Sequence, residues 1–138
     1  MGKYQDLING LFKHGKLQQA NYMALVQANF RAFNPLTIAL LGHDNPNVRE
    51  TCAEILKERK STKAIPHLIE ALCDSNLFVR QDALWAIEFL SGYQPTMLQE
   101  WLNIVNTDSP QKMHSRVSQW WQLNRKYIEK IESSIISD

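Results

Sequence analysis

The sequence predicts an all-α protein, a right-handed α-solenoid of stacked helical hairpins with atypical capping helices at its ends. Three observations carry that class. Strand-type alternation is almost absent, and glycines and prolines separate segments of about 10 to 20 residues with helical period. The middle of the chain also repeats itself at a fixed offset.

The elements follow in order. Tyr4, Leu7, Ile8, Leu11 and Phe12 keep the i, i+3, i+4 spacing of one helical face, and Gly15 stands where a helix closes. A second helix is expected from about Leu17 to Ala32, with Tyr22, Leu25, Val26, Phe30 and Phe33 as its apolar stripe. Asn34-Pro35 reads as an N-cap and first-turn proline for a short helix over Leu36 to Leu41.

From there the pattern recurs. Leu40-Leu41-Gly42-His43-Asp44-Asn45-Pro46-Asn47-Val48-Arg49 leads into a helix with Cys52, Ala53, Ile55 and Leu56. Thirty-one residues later, Ala71-Leu72-Cys73-Asp74-Ser75-Asn76-Leu77-Phe78-Val79-Arg80 leads into one with Ala83, Leu84, Ala86 and Ile87. A period of this size, one hairpin per unit, marks an α-solenoid.

The segment Ser61-Thr62-Lys63-Ala64-Ile65-Pro66-His67-Leu68-Ile69-Glu70-Ala71-Leu72 resembles the first helix of the short bacterial HEAT-like repeat, of the phycobilisome-lyase type. The Asp-containing turn and the Val79-Arg80 pair continue the likeness over 61–91, and 36–59 joins it from the turn onward. The resemblance implies the fold, and it implies that Arg49 and Arg80 tie their helices to a turn bearing Asp44, Asp74 or Asp82. Beyond Gly92 it fades. Pro95 to Val105 reads as a further first helix, and Asp108-Ser109-Pro110 as the start of a long last one with Val117, Trp120, Trp121, Ile128 and Ile131 on its stripe. The chain is thus divided into a cap over 1–33, repeats over 34–60 and 61–92, and a degenerate capping repeat over 93–138. Ser133 to Asp138 are expected to fray.

Composition bounds the function. The 138 residues are 44% hydrophobic and 21% charged, with a formal net charge of +1, which gives no overall electrostatic case for nucleic acid. No apolar run approaches a membrane span. Asp6 precedes any apolar stretch, against a secretory signal, so a cytoplasmic protein is expected.

Motifs for chemistry are missing. His14, His43, His67 and His114 are scattered, with no metal-ligand or acid–base spacing, and no Gly-rich phosphate loop or nucleophile elbow occurs. Cys52 and Cys73 are expected in packed helices without an activating base. No catalytic residue, metal or cofactor is assigned. The basic run Lys57-Glu58-Arg59-Lys60-Ser61-Thr62-Lys63 falls at a helix end, where cations suit the helix dipole.

The aromatics say more. Phe78, Trp85 and Phe89 lie off the core stripe of their helix, and at the 31-residue offset Trp85 and Phe89 replace Glu54 and Glu58. Either the long last helix covers them through Trp120 or Trp121, or they form an anchor for a partner. The expected function is a non-catalytic protein-binding adaptor or scaffold. Its second helices would line a concave surface for a protein or peptide, with Arg49, Glu50, Glu54, Arg80, Gln81 and Trp85 as contact residues. The resemblance adds a bilin lyase or phycobilisome-associated chaperone as an alternative, and weak nucleic-acid binding is a third.

Overall fold

The computed structural model describes residues 2–12, 16–92 and 109–137, and every described element is helical. The helices are α1 (Lys3–Asn9), α2 (Lys16–Gln27), α3 (Phe33–Gly42), α4 (Pro46–Glu58), α5 (Ile65–Glu70), α6 (Leu77–Ser91) and α7 (Pro110–Ser137). Short 3₁₀ turns lie at Gly10–Phe12, Phe30–Ala32, Thr62–Ala64 and Ala71–Cys73.

The helices form two rows. In one, α2 packs on α4 and α4 on α6; in the other, α1 packs on α3, α3 on α5 and α5 on α7. Each hairpin alone would leave its apolar stripe wet, so stacking is what buries it. A single core therefore runs from Ile8 through Leu25, Leu40, Leu56, Leu72 and Ile87 to Ile128. Leu56 and Ile87, equivalent at the repeat offset, are both wholly buried.

The repeat is visible atom by atom. Asn45 accepts from the Asn47 backbone N–H at the start of α4, and Asn76 accepts from Phe78 and Val79 at the start of α6. Such caps satisfy helix N–H groups that have no partner within the helix. Pro46 occupies the first turn of α4, where a missing N–H does no harm. Helix α6 stops at Gly92, whose φ of 77° is the left-handed geometry that glycine adopts freely.

The N-terminal elements differ from the sequence expectation. Helix α2 ends at Gln27, and Asn29 caps a separate 3₁₀ turn by accepting from Arg31 N–H. Phe30 is consequently 79% exposed and leaves the expected stripe. Asn34 is no N-cap: α3 begins at Phe33, and the Asn34 carbonyl accepts from the buried Thr37 hydroxyl inside the helix. The expected helix over Pro95 to Val105, with Trp101, and the Gly15 stop lie outside the described residues. At the other end α7 extends to Ser137.

Helix α7 also corrects the covering role offered for Trp120 and Trp121. It packs on α5 and the Ala71–Cys73 turn, burying Met113, Val117 and Trp121. Trp120 is half-buried and meets the Trp121 ring at 6.1 Å.

Candidate functional site: the face of α2, α4 and α6

Helical spacing decides what α6 presents outward. Phe78, Asp82, Trp85 and Phe89 recur at i, i+4, i+7 and i+11, one stripe opposite the buried Val79, Ala83, Ala86 and Ile87. Phe78 is 61%, Trp85 43% and Phe89 55% exposed. The equivalent stripe on α4 is Asn47, Thr51, Glu54 and Glu58, polar throughout.

Carboxylates gather beside these aromatics. Asp82 on α6 faces Glu50 on α4; burial, then hydrogen bonding to Glu50 and repulsion from Glu50 and Glu54, push its carboxyl up to about 7, against a pull down from Lys57. From α2, the Tyr22 hydroxyl donates to Glu54. Burial and the charges of Glu54 and Glu58 hold that phenol near 12. Lys57 is the cation in this group, 3.8 Å from Glu58 and 5.8 Å from the centre of the Phe89 ring.

The predicted contact residues divide. Glu50, Glu54 and Trp85 come together on this face. Gln81 lies half-buried on α6, one turn before Trp85. Arg49 faces inward: Nε and Nη2 donate to the two Asp74 carboxylate oxygens at 2.8 and 3.1 Å, and Nη1 donates to the His43 carbonyl at 2.7 Å. Arg80 makes the equivalent bond, Nη1 to the Asp74 carbonyl at 2.7 Å, and its Nε is buried with no hydrogen-bond partner among the described residues. Both arginines hold turns through Asp74, whose carboxylate accepts from Arg49 and whose backbone carbonyl accepts from Arg80. The list from sequence omitted Asp82, which the stripe arithmetic on α6 would have found. It also omitted Tyr22, whose helix precedes the repeated region and so had no register to read.

Burial pushes the Cys52 thiol up to about 12. Cys73 is exposed at the end of its 3₁₀ turn, against the expectation of a packed helix. Burial and then Glu70 raise its thiol too. His43 bonds Asn9, His114 bonds Glu70, and His67 meets the Phe33 ring edge-on at 5.6 Å. Within the basic run, Arg59, just past the end of α4, donates to the carbonyls of Leu25, Ala28 and Asn29 and so closes the C-terminal end of α2. Among the described residues no group of three His, Cys, Asp or Glu is placed to hold a metal ion. No described helix is long and apolar enough to cross a membrane.

No curated protein and no solved structure matches the chain significantly. The family model for HEAT repeats matches residues 5–113, which include α2, α4 and α6. That match spans most of the chain, and this chain belongs to the HEAT repeat family.

Proposed function

We propose that this chain is a protein-binding adaptor that docks its partner on the inner face formed by α2, α4 and α6. HEAT repeats generally mediate protein–protein interaction, and the reading locates that role at particular residues. The observation that carries it is the strip Phe78, Trp85 and Phe89, which stays exposed while α7 packs on the opposite row. Large apolar side chains held in a row on a rigid helix are the usual anchors of protein interfaces. Glu50 and Glu54 complete the contact set with Trp85. Arg49 and Arg80 support it by fastening the turns before α4 and α6. The full repeats are 34–60 and 61–92, and 1–33 and 93–138 serve as caps.

The test is affinity capture with the wild-type chain and a Trp85→Ala, Phe89→Ala variant, followed by calorimetry with each captured protein. The variant is expected to keep its helical circular dichroism and to bind at least tenfold more weakly, since interface aromatics carry about 2 kcal/mol or more each. Unchanged affinity in a folded variant would remove the strip from the interface.

A further inference from the structure

Resting on that docking reading, we propose that the occupant of the strip is a cationic segment of a partner protein. Its Lys or Arg side chains would seat on Glu50, Glu54, Glu58 and Asp82, with its apolar side chains along Phe78, Trp85 and Phe89.

Charge complementarity selects this occupant. Four carboxylates from two neighbouring helices border the strip, and Lys57 is the cation facing them. An acidic or neutral segment would add repulsion or leave these charges partly desolvated without partners, whereas a cationic one supplies them. The strip runs from Phe78 to Phe89, roughly 16 Å along the helix axis. That is the reach of a peptide segment rather than of one small cation. On the other row, Glu70 meets His114 and Glu129 meets Arg125.

The arrangement also works against the fold, which sets it apart from a purely structural feature. Asp82 holds its proton to about 7, against 3.8 in an unfolded chain, chiefly through burial and then through Glu50 and Glu54, with Lys57 opposing. The folded state therefore binds more protons than the unfolded state between those values. Stability from this group is full below about 3.8 and is lost as pH rises through about 7. Pairing with a cation needs the ionised carboxylate, so binding is expected to release a proton near neutral pH and to tighten from pH 6 to 8.

The experiment is calorimetry on the full chain at low salt with three probes. These are a short amphipathic Lys/Leu peptide, the same peptide with Glu for Lys, and spermine. The Lys/Leu peptide is expected to bind, the Glu/Leu peptide not to bind, and spermine to bind more weakly than the peptide. Glu50→Gln with Asp82→Asn is expected to weaken the Lys/Leu peptide roughly tenfold, about threefold for each lost pair. The same variant should melt higher than wild type at pH 8 and nearly equal to it at pH 5. A merely structural pair would not couple stabilisation to lost binding.

Equal binding of the Glu/Leu peptide, spermine matching the Lys/Leu peptide, or wild-type affinity in the double variant would each overturn the proposal. The natural partner separates this failure from failure of the docking reading. If Trp85→Ala abolishes its binding and Glu50→Gln with Asp82→Asn leaves it intact, the strip docks a partner that is not cationic and only the charge assignment falls. If neither variant changes it, both fall.

Discussion

Arg49 reaches from the first turns of α4 to Asp74 in the turn before α6, so a single guanidinium joins two consecutive hairpins. The two side chains are 14% and 9% exposed, and Asp74 also accepts from Asn76 N–H. Removing the carboxylate leaves a mostly buried cation with only backbone carbonyls, and an uncompensated buried charge is among the larger single-site penalties. Asp74→Ala is expected to destabilise by about 3 kcal/mol in urea unfolding. Asp74→Asn should lose less, because its amide oxygen still serves Asn76. Asp44, whose contact with Arg49 uses only its backbone carbonyl, is the control: Asp44→Asn should stay within about 0.5 kcal/mol. At this scale the sequence was half readable. The recurrence of Arg49 and Arg80 marks both as important, and the resemblance favours a structural clamp, although both also stood among the expected contacts. Only the geometry shows Asp74 between them.

Between elements, the two rows give similar residues opposite fates. Trp121 on α7 is 6% exposed against the α5 row, and Trp85 on α6 is 43% exposed on the other. Trp121→Ala is expected to cost about 3 kcal/mol or more, as deletions of buried aromatics do. Trp85→Ala should cost clearly less, about 1 to 2 kcal/mol, because 43% of its surface is already reached by water. Thermal unfolding of the two variants side by side checks the assignment, and equal losses would mean that Trp85 belongs to the core. Helical period in the sequence separates Trp120 from Trp121 by about 100° and so shows that they differ. It does not show which helix they meet, since that depends on which row α7 joins. The same limit applies to Phe30. Its spacing continues the α2 stripe, but the Asn29 cap ends that register and turns the ring to solvent.

For the whole molecule, the fold was legible where it repeats. The offset from Val48-Arg49 to Val79-Arg80 recurs in the caps Asn45 and Asn76 and in the buried pair Leu56 and Ile87, so local chemistry and long-range packing agree there. Before Pro35 the chain has no such internal copy, and helix boundaries had to be read from single stripes. The binding face was the least legible part because it is assembled across three helices. Glu50 faces Asp82 and Tyr22 reaches Glu54 only once α2, α4 and α6 lie side by side. The central claim is that this row, and not the row of α1, α3, α5 and α7, receives the partner. Amide and indole chemical-shift mapping with a captured partner tests it most directly. The account predicts the largest shifts at Tyr22, Glu50, Glu54, Asp82, Trp85 and Phe89. Shifts concentrated on Ile38, Glu70, His114 and Arg125, with the Trp85 indole unmoved, would contradict it.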